Sequence, residues 1–212
     1  IREGFVAPLE NVLFVEEPLQ REHYHPRIEG FRTFVFERLN ADERKAYESL
    51  HHVFFYERHN DFWRASAMEK LPALSNATAM LPCGEDLGMV PDCVPGVMEQ
   101  LQLLTLEIER MPKAFGREFA DVEAYPRRAV CSTGTHDMAT LRGWWAEDAA
   151  RSARYFFEVL GHGGEAPADA PAWLCEEIVR RHVDCPSMLC ILPWQDWLAI
   201  DERLRLPDVD AE

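Results

Sequence analysis

Basic side chains are in short supply: 22 Lys and Arg stand against 37 Asp and Glu in 212 residues, a formal net charge of −15. Nucleic-acid binding needs clustered Lys and Arg to neutralise phosphates, so that partner class is excluded. Long apolar runs are missing as well. None approaches the ~18 residues of a membrane span, and mean hydropathy is −0.28, so no membrane partner is expected. Cysteine is sparse, with six residues at 83, 93, 131, 175, 185 and 190. No two form a C-x-x-C pair and no His stands at zinc-finger spacing, which argues against both a structural zinc module and a disulfide-stapled secreted scaffold. Stretches such as Ala129-Val130-Cys131 and Met188-Leu189-Cys190-Ile191-Leu192 read the cysteines as small buried hydrophobes, and the compartment as the reducing cytoplasm. The chain starts at Ile1 rather than Met and carries no charged-then-apolar leader. It is expected to be an excised piece of a longer polypeptide.

What is present is enough for a folded core: 47% of the residues are apolar, which excludes a disordered chain. The opening segment, broken at Glu17-Pro18 and His25-Pro26, reads as loop with short strands. Phe31 to Phe36 alternates like a strand. Asn40 followed by Glu43 is an N-cap signature, with Tyr47, Leu50 and Phe54 recurring at helical spacing behind it. A second helix is expected after Asn60-Asp61, carrying Phe62, Trp63, Ala67 and Met68 until Leu71-Pro72 stops it.

From residue 79 the pattern becomes strand, polar loop, helix, strand. Ala79-Met80-Leu81 leads into Cys83-Gly84-Glu85-Asp86-Leu87-Gly88, and a helix follows through Val97, Met98 and Leu101. Leu103 to Ile108 reads as a strand, as do Ala129 to Ser132 and the apolar run 188–192. Helices are expected from Met138 through Trp145 and over Ala172 to Arg181. Connections longer than a dozen residues fit parallel crossovers, so the fold class is α/β. Four countable strands are half of an eight-fold barrel, a partial (β/α)8 TIM barrel. Its functional groups would sit where strands end.

Glu85 and Asp137 occupy such positions. Two carboxylates at the ends of different strands can flank one glycosidic bond, one delivering a proton and the other attacking or stabilising the sugar cation. A glutamate acting as acid needs partial burial or a neighbouring negative charge, which Asp86, Leu81 and Leu87 would supply. His136 offers hydrogen bonds to sugar hydroxyls, and Trp144, Trp145 and Trp194 offer apolar faces. Each has a plainer alternative. Glu85-Asp86 and Asp137 are also ordinary helix caps, and tryptophans are ordinary core. Ser132, His136 and Asp137 supply a triad's residue types without a G-x-S-x-G elbow. His23, His25, His51, His52 and His59 lack the carboxylate spacing of a metal site, and Gly161 to Gly164 follows no strand, unlike a phosphate loop.

Taken in order, Cys83-Gly84-Glu85-Asp86-Leu87-Gly88 and Thr135-His136-Asp137 resemble the 4-α-glucanotransferases (amylomaltase or disproportionating enzyme), glycoside hydrolase family 77 of the wider α-amylase clan. Tyr24-His25-Pro26-Arg27, His59-Asn60-Asp61-Phe62-Trp63-Arg64, Arg110-Met111-Pro112 and Gly143-Trp144-Trp145 match too. The set looks like the longer variety of plant cytosol and some bacteria, with starch-binding modules before the barrel. The resemblance implies retaining transfer of α-1,4-glucan segments between maltodextrins, with maltodextrin or a branched α-glucan as substrate, no cofactor and no metal. Glu85 would be the general acid/base. Asp137 would hold the donor sugar's hydroxyls, assisted by His136, with Trp144 and Trp145 as further substrate-binding residues. The family's nucleophile, an Asp in an R-I-D-H type segment, has no counterpart in these 212 residues. The resemblance therefore implies that residues 1–212 are the C-terminal portion of one catalytic barrel, strands five to eight, with residues 1–75 a helical and loop insertion leading into strand five. The remaining N-terminal half of the same polypeptide would be its partner, and the chain alone would be inactive. A plain α-glucan hydrolase of the same clan and a non-catalytic glucan-binding module are the alternatives.

Overall fold

The computed structural model describes residues 11–207. The Ile1 terminus, and the outer ends of the 1–75 and 1–212 spans, lie outside the described residues. The chain divides into two compact units, Ile1–Ala77 with Pro91–Val97, and Thr78–Val90 with Met98–Glu212.

The first unit opens with an antiparallel pair, β1 (Phe14–Glu16) and β2 (Tyr24–Pro26), in which Val15 faces His25. The strand expected over Phe31 to Phe36 is not formed. Its place is taken by a 3-10 turn, Gly30–Arg32, and a short helix, α1 (Phe34–Arg38). Thr33 is the reason. Its hydroxyl donates to Gly30 O at 2.7 Å and accepts from Phe36 N at 3.2 Å, capping α1 and turning the chain. Helix α2 (Ala41–His52) begins at the expected capping box: Asn40 Oδ1 accepts from Asp42 N and Glu43 N, and Glu43 Oε2 accepts from Asn40 N.

The second helix does not start afresh after Asn60-Asp61. Val53–Arg58 is a π-helical stretch that joins α2 to α3 (His59–Asn76) without a break. One extra residue per turn shifts the apolar stripe, which is why the pattern reads as two helices. Pro72 sits inside α3 instead of ending it. Tyr47 and His51 are the buried centre of this unit, in ring contact with Phe31 at 5.5 and 4.5 Å. Cys93 is tied back to α3 by its N–H on Asn60 Oδ1 at 2.8 Å.

After α4 (Val94–Gln100) the second unit builds a parallel three-stranded sheet, β3 (Thr105–Ile108), β4 (Ala129–Ser132) and β5 (Leu189–Cys190), in the order β3-β4-β5. The strand expected at Ala79-Met80-Leu81 shrinks to a single parallel bridge, Cys83 to Leu104. Leu104 N donates to Pro82 O and Gly84 N to Leu104 O, but Pro82 has no N–H to extend the ladder upstream. Met80 and Leu81 are left exposed. Strand neighbours thus follow chain order from residue 83 onward.

Helices α5 (Leu141–Glu147), α6 (Ala149–Arg154), α7 (Ala172–Val183) and α8 (Trp194–Leu198) complete the unit. A π-helical turn, Tyr155–Val159, extends α6. Their apolar faces form a core of Leu141, Trp144, Trp145, Tyr155, Phe156, Leu174, Cys175 and Ile178. Mixed helix and parallel strand make the observed class α/β. The cysteines are only partly the buried hydrophobes expected: Cys131 and Cys175 are buried, Cys93, Cys185 and Cys190 half-buried, and Cys83 exposed, all six free. Among the described residues no helix is long and apolar enough to cross a membrane.

Candidate active site

The loops that follow the parallel strands carry the candidate residues. Glu85 comes one residue after Gly84, whose N–H closes the bridge to β3. It is exposed, and its Oε1 accepts from Leu87 N at 2.7 Å. Asp86 points the other way and is buried. One oxygen accepts from Leu106 N in β3 at 3.0 Å and the other binds Lys113 Nζ at 2.8 Å. Lys113 also reaches Glu107 Oε1 at 2.8 Å. Neighbouring carboxylates therefore diverge: Asp86 locks the turn to β3, and Glu85 is left projecting from a fixed backbone. The burial expected around Glu85 is not found, and Asp86 shares the Lys113 ammonium with Glu107.

Neither capping alternative holds in this unit. The first helix after Glu85 begins only at Val94, and the cap of α5 is Thr140, which accepts from Gly143 N at 3.1 Å. Asp137 instead lies on the loop after β4. Its side chain and that of His136 are exposed and pair at 3.2 Å. The structure brings these two together. Glu85 lies at the end of a different stave, with β3 between that stave and β4.

The loop bearing His136 and Asp137 is held at both ends. Arg110, just past β3, donates Nε–H to Thr133 O at 2.7 Å and two further N–H groups to Ala139 O at 3.1 Å. A Cβ on Gly134 would stand 2.4 Å from Arg110 Nη2, so a side chain there would have to displace the guanidinium from its bonds to Thr133 O and Ala139 O. Asp196, buried in α8, accepts from Thr133 Oγ1 at 2.5 Å and Leu141 N at 2.8 Å. Burial pulls the Arg110 pKa down, and the Asp196 carboxylate opposes that shift. The base of the loop is bonded on both sides while its tip stands in solvent. Beside it lies a cavity of about 430 Å³ whose lining includes Ser132, Thr135, His136, Ile191, Pro193 and Gln195.

Trp144 and Trp145 are a correction to the sugar-platform expectation. They are 6% and 1% exposed, Trp144 meeting Tyr155 edge-on at 5.3 Å with the Arg110 and Arg151 guanidinium groups over its ring, Trp145 donating its indole N–H to Pro167 O at 2.9 Å. Both rings are buried by protein, because α5 turns its apolar stripe into the helical core. Trp194 is 72% exposed.

Glu109, the residue after β3, carries no sequence signal of its own. It is 1% exposed, accepts the Tyr155 hydroxyl and Arg181 Nη2, and lies 3.7 Å from His182 Nε2. Burial, with the Glu109 charge added to it, holds Tyr155 protonated. Arg110-Met111-Pro112 was the nearest signal, as a motif without an assigned role.

The family model for 4-alpha-glucanotransferases, glycoside hydrolase family 77, matches residues 21–212. A 4-alpha-glucanotransferase of rice (Oryza sativa subsp. japonica) is 36% identical over 203 residues, covering 96% of this chain and 22% of that protein. One of Chlamydia muridarum is 38% identical over 93 residues, covering 43% of this chain and 18% of that protein. Among solved structures, an amylomaltase from Streptococcus agalactiae in complex with acarbose is 18% identical over 68% of this chain and 29% of that one, with a TM-score of 0.49. The chain thus spans about a fifth of the length of these two curated relatives. By the match of the model across residues 21–212, the chain belongs to the 4-alpha-glucanotransferase family, glycoside hydrolase family 77.

Proposed function

We propose that this chain is the acid/base-bearing part of a cytoplasmic 4-α-glucanotransferase that passes α-1,4-glucan segments between maltodextrins, or onto a branched α-glucan, by retaining double displacement. Glu85 protonates the glycosidic oxygen as the bond to the donor breaks, then takes the proton of the acceptor's hydroxyl as the new bond forms. Asp137, with His136 beside it, holds hydroxyls of the donor sugar and stabilises the positive charge that develops on its ring. The nucleophilic carboxylate comes from an R-I-D-H type segment that these 212 residues do not contain. The parallel strands belong to one (β/α)8 barrel completed by the N-terminal half of the same polypeptide.

The observation that carries this reading is the pair of exposed carboxylates, Glu85 just past the parallel bridge at Cys83 and Asp137 on the loop after β4, each resting on a bonded base. Strand-end loops are where such barrels keep their chemistry. The full-length polypeptide, incubated with maltotriose, is expected to yield glucose together with longer maltodextrins. Glu85→Gln is expected to lower that turnover by roughly 10²–10⁴-fold, the usual worth of a general acid/base. Turnover that survives Glu85→Gln removes the acid/base assignment, and products that are only shorter than the substrate make the enzyme a hydrolase. The 212-residue chain alone is expected to give no disproportionation, and measurable transfer by it overturns the assignment of the nucleophile elsewhere.

A further inference from the structure

Cys131, Cys185 and Cys190 have no part in the chemistry above, yet they meet in the second unit. The register of β4 and β5 sets Cys131 against Cys190, and Ile191 N donates to Cys131 O at 2.9 Å, fixing the register at that point. Partners in a parallel pair point to the same face, so the two thiols lie side by side. Cys185, in the segment before β5, packs against the small cluster of Val122, Tyr125 and Cys131. Cys131 is 0% exposed, whereas Cys190 is half-buried. The two thiols are also chemically unequal. The neighbouring Cys190 thiol and burial raise the Cys131 thiol's pKa, while the proximity of Cys131 draws the Cys190 thiol below its usual range. Thiolate character and access together decide which cysteine an oxidant finds first.

We propose that Cys190 and Cys131 form an oxidant-sensitive pair that closes to an intramolecular disulfide on meeting a hydroperoxide. The Cys190 thiolate attacks one peroxide oxygen, the O–O bond breaks, and hydroxide leaves to be protonated to water, so that Cys190 becomes a sulfenic acid. The Cys131 sulfur then attacks the Cys190 sulfur, the S–O bond breaks, and the hydroxyl departs as water with the Cys131 proton. The two thiols lose two electrons in total and the peroxide gains them. Neighbouring strands run about 4.8 Å apart, within the roughly 4.4–6.8 Å Cα span a disulfide bridges. The residues that follow the pair, Ser132 and Ile191, both line the cavity that His136 lines, so the cross-link joins two chain segments that reach it.

The test is peptide mapping of the full chain after stoichiometric hydrogen peroxide, alkylation under denaturing conditions and proteolysis. The expected product is one linked peptide containing Cys131 and Cys190, lighter by about 2 Da than the two free thiols and reopened by a dithiol reductant. Cys185→Ser keeps that product. Cys190→Ser abolishes it and leaves the exposed Cys83 alkylated or oxidised as before. Full alkylation of both Cys131 and Cys190 after peroxide has oxidised Cys83 overturns the proposal. So does a linked peptide that joins either of them to Cys185. The mapping of the unsubstituted chain decides by itself if a variant misfolds.

Discussion

Rings pack in both units, but among the described residues only the second adds buried carboxylates to them. In the first, the Tyr47 hydroxyl donates to Arg27 O at 2.9 Å and Leu13 O at 3.2 Å, His51 bonds Ile28 O, and Phe14, Phe31 and Phe36 ring the same tyrosine. Beyond that knot the joined helices show Leu50, Tyr56, Phe62 and Leu74 to solvent. In the second, Asp86, Glu109 and Asp196 are 5%, 1% and 1% exposed and each is bonded to groups distant in sequence. A buried carboxylate is worth keeping only if its partners are complete. Here those partners are the strand-end loops and the helices behind them. Charge is buried where a loop must stand still, and left out where a helix needs only one apolar contact.

The strongest way to break this contrast is Glu109→Ala. It leaves the buried Tyr155 hydroxyl without its acceptor and the part-exposed Arg181 without its carboxylate, and should cost about 3 kcal/mol, the low end for a broken buried pair, read from urea unfolding followed by tryptophan fluorescence. A loss below about 1 kcal/mol, the size expected of an exposed pair, would equate the two units. In the first unit the largest effect is steric. A Cβ on Gly30 would lie 1.9 Å from the Tyr47 hydroxyl oxygen, so Gly30→Ala must displace the tyrosine at a cost of about 1–3 kcal/mol. Far-UV circular dichroism during thermal unfolding checks it, and an unchanged melting curve would mean that Tyr47 is not the centre of that unit.

Local grammar was legible in the sequence, and distance was not. The Asn40–Glu43 capping box, strand Ala129–Ser132 and the helix from Ala172 each rest on residues within one turn or one strand, and all appear where expected. Phe31 to Phe36 failed because one hydroxyl, Thr33, outweighs a weak alternation. Ala79 to Leu81 failed because a proline cut its ladder short. The π-helical stretch hid because its signature is a phase shift in an otherwise helical pattern. The position of Asp137 follows from knowing where β4 ends, which an apolar run announces, whereas Glu85 follows only the single bridge at Cys83. The residues that hold their loops do not announce themselves. Asp86 bonds a group 20 residues on, Arg110 one 23 away and Asp196 one 63 away, and no periodicity encodes such pairings. Trp144 and Trp145 show the same limit in reverse: their type suits a sugar face, and only the packing of α5 assigns them to the core.

A pH series sharpens the contrast from within the charged unit. Burial lowers the His182 pKa from the ordinary 6.5, Glu109 opposing, so the folded state keeps the ring neutral where the unfolded chain would take a proton. The unfolded state then binds more protons as pH falls below about 6.5, and stability is lost in that direction by at most about 1.4 kcal/mol per pH unit until the folded ring itself protonates. Above that pH this contribution is complete. Denaturant midpoints measured through the window should fall more steeply for the native chain than for His182→Gln, and parallel slopes would mean that His182 is charged in the fold.

The smallest expected effect returns to the first unit, where no buried charge is involved. Asn40→Ala removes the acceptor of two N–H groups at the start of α2 and leaves Glu43 bonded to the Asn40 backbone N–H alone. Those donors lie at an exposed helix end where water replaces the lost acceptor, so the cost should be about 1 kcal/mol, with Asn40→Asp or Asn40→Ser nearly neutral. The same urea experiment reads it. A loss as large as that of Glu109→Ala would show that the long helix is nucleated at its cap and not at Tyr47, and the division between a unit without buried carboxylates and one that adds them would have to be redrawn around helix initiation.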